Sequence, residues 1–247
     1  MGIIFSLQLR LQKRFEQLNR RVKELLARPN KTPIFVLGNQ KSGTTAIAAL
    51  LAKRTGCSVT LDLTTHHSEL VVGIYNNRKP IEALIDERGI EFSRDVIKDP
   101  NLTFLYPWLR ERFPRGQFVQ VVRDPRANFR SILDRLDIDG HRPNIDLEEL
   151  KSKCSDYQGM WDAWKIILDG SWMGLEGKTH IDMLAARWVA AAKTYLGHSE
   201  DIELIRYEDS MSDKLKAVDD LIERLNLPIG NSVEDQVDTQ FQPRGNH

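Results

Sequence analysis

Eight residues, Gly38-Asn39-Gln40-Lys41-Ser42-Gly43-Thr44-Thr45, stand between a short apolar run, Ile34-Phe35-Val36-Leu37, and an Ala/Leu-rich stretch from Ala46 to Arg54. A polar, glycine-bearing loop between a buried strand and a helix is where backbone N–H groups and a helix N-terminus gather a phosphate. The common nucleoside-triphosphate loop reads Gly, four residues, then Gly-Lys-Ser/Thr. Here Thr44 follows Gly43, and the lysine, Lys41, comes two residues before that glycine. It therefore approaches an anion from the other side of the loop, which argues against ATP or GTP hydrolysis. A plain glycine turn entering a helix does not need Lys, Ser, Gly, Thr and Thr in a row.

A second constellation follows the run Phe118-Val119-Gln120-Val121-Val122. Arg123 stands at the end of that strand, Ser131 lies eight residues on within the next helix, and Arg135 lies four beyond Ser131 on the same helix face. Arginine offers bidentate donors to phosphate, and the helix N-terminus adds further ones. Alone, Arg123 and Asp124 also read as a structural ion pair, or Asp124 as a magnesium carboxylate. A metal site finds little support: adjacent His66 and His67 would point oppositely on a strand, and Cys57 and Cys154 are far apart.

The elements that must hold these residues alternate. The pattern predicts strands over Ile34 to Leu37, Ser58 to Leu63, Gln117 to Val122 and Ile202 to Ile205. It predicts helices over Ala46 to Arg54, Lys79 to Arg88, Phe104 to Arg112, Arg126 to Arg135, Leu184 to Leu196 and Lys214 to Leu225. Such alternation means an α/β fold with a central parallel sheet flanked by helices. Residues 137–180 interrupt it with Trp161, Trp164, Trp172, Tyr157 and several glycines. They read as a cap over the open end of the sheet, whose aromatic residues form a small core of their own or line an acceptor site.

With 35 Lys/Arg against 35 Asp/Glu in 247 residues, the net charge is zero, but residues 1–31 carry eight Lys/Arg and two Glu. A basic body suited to nucleic acid is absent. Ile4, Leu7, Leu11, Phe15, Leu18, Val22 and Leu25 recur at steps of three and four, so residues 1–31 read as an amphipathic basic helix ahead of a domain over 32–247. That helix packs on its own domain or a second subunit, or touches an anionic membrane surface. Nine Phe, five Trp and five Tyr exclude disorder as the main state. No apolar run approaches the ~18 residues of a membrane span. Two cysteines and no secretory signal make a reducing, cytoplasmic location the expectation.

The Lys41-Ser42-Gly43-Thr44-Thr45 loop resembles the 5′-phosphosulfate loop of sulfotransferases that use 3′-phosphoadenosine 5′-phosphosulfate (PAPS). The spacing of Arg123 and Ser131 resembles that family's 3′-phosphate site. Ile97-Lys98-Asp99-Pro100 resembles a segment of the tyrosylprotein type, and Arg206-Tyr207-Glu208-Asp209 a stretch whose tyrosine lies near the adenine. The resemblance spans about residues 33–243 and implies a P-loop-like sulfotransferase architecture. It implies PAPS as co-substrate, no metal, and a small-molecule or glycan hydroxyl acceptor. It assigns the cofactor to Gln40, Lys41, Ser42, Gly43, Thr44, Thr45, Arg123, Ser131, Arg135, Tyr207 and Arg244, the last as the start of a basic C-terminal loop. Lys41 would neutralise the leaving 5′-phosphate, and Lys98 would stand near the sulfuryl group. Relatives place a basic carboxylate about twenty residues past the phosphate loop, which by gapless count is Asp62. His66, His67 and Glu69 are rivals, histidine having the more suitable unperturbed pKa. Two other readings stand beside this one: a nucleotide or small-molecule kinase with an atypical loop, and a nucleotide-binding protein without catalysis.

Overall fold

The computed structural model describes Val22 and residues 27–63, 67–142, 144–153, 158–234 and 237. Most of the expected N-terminal helix lies outside the described residues, as do His66, Tyr157 and Arg244.

Five strands, β1 (Ile34–Gly38), β2 (Val59–Leu61), β3 (Val96–Lys98), β4 (Gln117–Val122) and β5 (Ile202–Arg206), form one parallel sheet in the order β2-β3-β1-β4-β5. Every residue of β1 is buried. Phe35 and Leu37 enter one apolar cluster while Ile34 and Val36 enter another on the opposite face. A strand apolar on both sides is what a sheet covered by helices requires. On one face Phe35 stacks on Phe118 at 5.2 Å and meets Phe113 at 5.3 Å. On the other, α1 (Thr44–Thr55) and the amphipathic helix over Lys214–Arg224 supply Leu50, Leu51, Val218 and Leu221.

The remaining helices are α2 (Ser68–Tyr75), α3 (Glu82–Glu87), α4 (Gly89–Phe92), α5 (Tyr106–Arg112), α6 (Pro125–Leu136), α7 (Leu147–Lys153), α8 (Gln158–Leu168), α9 (His180–Gly197) and α10 (Tyr207–Ser212), with α11 at Lys214–Arg224. Among the described residues, none is long and apolar enough to cross a membrane.

Several expectations change in detail. β2 is shorter than Ser58 to Leu63, because Asp62 turns the chain at φ 57°. His67 therefore precedes α2 and does not lie on a strand. The helix expected over Phe104 to Arg112 is a 3-10 turn over Pro100–Leu105 followed by α5. Pro107 lacks an N–H and restricts the residue before it, so the α-helix starts there and does not run through. Pro80 likewise delays α3 to Glu82. Over 137–180, Trp161, Leu150, Ile167 and Leu168 pack with Ile132, Leu133 and Leu136 of α6. Trp172 packs against Tyr75 and Phe104 at 5.1 and 6.2 Å. These two tryptophans serve as core.

The chain runs outward from β1 to β2, returns to β3 beside β1, and crosses to β4 and β5. Strand order therefore reverses between β1 and β4, and the crevice beyond their carboxyl ends is where ligands of open α/β sheets bind.

Candidate active site

Each strand delivers one of the singled-out groups at its carboxyl end. β1 runs into the loop bearing Lys41, β2 into Asp62, β4 into Arg123 and β5 into Tyr207, while Lys98 is the last residue of β3. A parallel sheet aligns these ends, which explains how residues scattered over 166 positions share one rim.

The loop's geometry is strained and well held. Lys41 sits at φ 63° and Gly43 at φ 91°. A side chain on Gly43 would collide with the Tyr207 ring, so glycine is required there. Gly38, at φ 142°, would put a Cβ 2.5 Å from the Val121 carbonyl oxygen of the neighbouring strand. Asn128 of α6 donates to the Gln40 carbonyl at 2.7 Å and the Ser42 hydroxyl at 3.1 Å, and accepts from Asn39 at 3.0 Å. Arg187 of α9, fully buried, donates to Gln40 Oε1 at 3.2 Å, Asn101 Oδ1 at 2.9 Å and the Ile166 carbonyl at 3.1 Å. Its guanidinium lies 4.3 Å over the Phe104 ring. Burial pushes it down to about 9, opposed by Asp99, and it stays charged at neutral pH.

Arg123 ties the two constellations together. Its Nη1 donates to the Lys41 carbonyl at 2.8 Å, and its guanidinium lies 4.4 Å over the Tyr207 ring. The Trp188 indole N–H donates to the Arg123 carbonyl at 3.0 Å. Asp124 caps α6, accepting from the N–H groups of Arg126 and Ala127 at 2.9 and 3.2 Å. Those bonds, led by the Ala127 N–H, hold its carboxyl below the usual carboxylate range.

Positive charge outweighs negative around Lys41. The Lys41 pKa is lowered first by burial, then by the charges of Arg135, Arg123 and Lys98, with Asp62 opposing. Three cations thus act on Lys41, beside the N-terminus of α1, whose first turn carries no acidic residue. Arg123 Nε is buried without a hydrogen-bond partner. Like charges accumulated beside an unfilled donor ask for an anion with several oxygens. Ser131 and Arg135 continue the face of α6 that Asn128 begins.

Asp62 meets Lys98: the Lys98 ammonium donates to Asp62 Oδ1 at 2.5 Å, and the Asp62 N–H donates to the Lys98 carbonyl at 3.0 Å. Arg88 pins the next turn by donating to the Leu63 carbonyl at 2.9 and 3.2 Å. His67 and Glu69 begin α2 nearby in sequence, Glu69 exposed. Among the described residues, no group of three or more His, Cys, Asp and Glu could hold a metal ion. A groove of about 400 Å³ lies beside α6, lined by Arg126, Phe129, Arg130, Leu133 and His141, and holds none of the singled-out residues.

Neither a protein-family model nor a curated protein sequence matches the chain. Solved structures do. A sulfotransferase from Alicyclobacillus acidocaldarius superimposes with a TM-score of 0.50 at 15% identity, covering 88% of this chain and 87% of that one. The fold is that of the sulfotransferases. Mouse sulfotransferase SULT7A1, solved in complex with PAP, gives a TM-score of 0.48 at 15% identity over 87% of this chain. This chain spans 66% of the mouse protein. An unliganded sugar kinase from Janibacter gives 0.40 at 14% identity, covering 81% of this chain and 99% of that one. Within the sulfotransferase fold, Asn128 and Arg187 are the residues that sequence reasoning missed. Asn128 carried a signal, standing three residues before Ser131 on one helix face; Arg187 carried none.

Proposed function

We propose that this chain transfers a sulfuryl group from PAPS to a hydroxyl acceptor by in-line displacement. One observation carries the reading: Arg135, Arg123 and Lys98 all act on the Lys41 ammonium against the opposing carboxylate of Asp62, so the rim favours an anion. Triphosphate chemistry is disfavoured by Thr44, which follows Gly43 where a lysine would stand.

The residues fit the nucleotide. The Lys41 to Thr45 backbone at the start of α1 would take the 5′-phosphate, and Arg123, Ser131 and Arg135 the 3′-phosphate. Tyr207 would flank the adenine, with Gln40 supporting the loop and Arg244 adding a C-terminal cation. The unfilled Arg123 Nε and the desolvated Lys41 both gain from phosphate oxygens. Bound there, PAPS supplies the sulfuryl group and leaves as the 3′,5′-bisphosphate.

The chain's own work is positioning, charge neutralisation and one proton removal. Lys41 neutralises negative charge growing on the leaving phosphate. Lys98, fixed at the end of β3, does so at the transferred group. Asp62 takes the acceptor's proton on its carboxylate, with His66 and His67 as rivals for that role. Residues 137–180 cap the acceptor side, and the acceptor is a carbohydrate or another alcohol or phenol. We read the chain as cytoplasmic, and residues 1–31 as a helix that packs on protein, in a homodimer or on the domain over 32–247, with a membrane surface as the alternative.

The test is transfer of labelled sulfate from PAPS to a panel of sugars, phenols and alcohols. Labelled product with a hydroxyl acceptor, formed without magnesium, supports the reading. Magnesium-dependent ATP turnover with the same acceptors supports a kinase. Tight bisphosphate binding with no transfer to any acceptor supports a binding protein.

A further inference from the structure

Asn128 is fully buried at the end of the first turn of α6, and its side chain makes three hydrogen bonds. All three go to the phosphate loop: to the Gln40 carbonyl at 2.7 Å, the Ser42 hydroxyl at 3.1 Å and the Asn39 amide at 3.0 Å. Burying an amide is costly unless its bonds are made. The three bonds therefore fall on Asn39, Gln40 and Ser42, within the stretch that ends one short of Gly43.

The same helix carries Ser131 and Arg135, three and seven residues further on, along one face. A helix of 12 residues is a stiff body. The Lys41 carbonyl is held from the strand side by Arg123 Nη1 at 2.8 Å, and Gln40 Oε1 from α9 by Arg187 at 3.2 Å. Asn128 joins the loop to α6 itself. A shift of α6 toward an anion at Ser131 and Arg135 moves Gln40 and Ser42, the residues flanking the left-handed Lys41.

We propose that Asn128 is a positioning residue that couples the two phosphate subsites, by tying the 39–42 loop to the helix that bears Ser131 and Arg135. The proposal rests on the PAPS reading given above. A nucleotide phosphate bound on one side sets the geometry offered to the other, so the 3′-phosphate improves binding most when the 5′-phosphate is also present. Asn128 touches neither phosphate; it acts through Gln40 and Ser42.

The experiment uses the full chain and isothermal titration with adenosine 5′-phosphate and adenosine 3′,5′-bisphosphate. Wild type, Asn128→Ala, Asn128→Ser and Ser131→Ala are compared. The readout is the ratio of the two dissociation constants, together with the constant for the 5′-phosphate alone. Asn128→Ala is expected to weaken adenosine 5′-phosphate and to lower the ratio about tenfold, within the usual range of coupling between sites. Ser131→Ala lowers the ratio and leaves adenosine 5′-phosphate within about twofold, since it removes a neutral contact on one side only. Asn128→Ser keeps one hydroxyl in less volume, falls between wild type and alanine, and supplies the answer should the alanine variant not fold. A purely structural asparagine lowers the melting temperature and leaves the ratio unchanged; that result overturns the proposal. A wild type that binds both nucleotides equally overturns the PAPS reading first, and this proposal with it.

Discussion

The Lys98 ammonium and the Asp62 carboxylate meet at 2.5 Å, yet their surroundings differ: the lysine side chain is 2% exposed and the aspartate 44%. Adjacent parallel strands enforce the pairing, since Leu61 stands in register with Lys98 and the Asp62 N–H extends the ladder to the Lys98 carbonyl. The cation is fixed in the sheet, while the carboxylate is turned outward by its left-handed backbone.

Asp62→Asn is expected to lower turnover by roughly 10²–10⁴-fold, the usual worth of a general base. Affinity for the 3′,5′-bisphosphate should change far less than turnover, because Asp62 follows the edge strand β2 and acts on Lys41 only through its charge. His66→Ala and His67→Ala should be milder. Turnover and bisphosphate binding measured on all three variants decide the assignment; near-full activity in Asp62→Asn moves the base to whichever histidine variant collapses.

Arg123→Ala should abolish most of the preference for the 3′,5′-bisphosphate over 5′-AMP and ATP. A charged contact to phosphate is worth on the order of 1.5–3 kcal/mol, and ligand binding raises the melting temperature by mass action. Thermal shifts at matched ligand concentration provide the comparison. Equal shifts from all three nucleotides in the wild type would remove the specific role of Arg123 and Ser131.

Lys41 makes binding pH-dependent. Burial and three neighbouring cations lower its pKa in the free protein, whereas a bound anion favours its charged form. Nucleotide affinity should fall as pH rises through the lowered pKa, with proton uptake on binding at alkaline pH. For folding the sign is opposite: the charged lysine is a cost below its folded pKa, relieved as pH rises from there toward 10.5. Titrations in buffers of different ionisation enthalpy report the uptake, and Lys41→Met should lose it.

Arg187→Lys keeps the charge but not the fork. One ammonium cannot reach Gln40, Asn101 and the Ile166 carbonyl in the geometry of a guanidinium. Each buried acceptor left bare costs about 1–3 kcal/mol, so urea unfolding should show a loss of at least that size. Wild-type stability in this variant would mean that the cost of burying the guanidinium offsets its bonds.

Local chemistry made much of this protein legible from sequence. An apolar run ending in Gly38, a polar loop and an Ala/Leu helix are contiguous, so β1, the phosphate loop and α1 follow from neighbours in the chain. Arg123 to Arg135 is readable for the same reason, with Asp124 and Pro125 opening the helix. β3 escaped because three residues ending in Lys98 give no periodicity, and only pairing with β1 and β2 makes them a strand. Arg187 escaped because polar residues are mostly exposed and nothing local marks it as interior, and Asn128 because its place on the Ser131 face does not say what packs there. Burial depends on what packs from elsewhere: the loop beside α6, and Phe104 and Asn101 beside α9. Tertiary structure alone decided that five strand ends share one rim, because strand order is set by crossovers between distant segments. The residue types follow from the chain; their convergence, and the charge balance it creates, exists only once the sheet has formed.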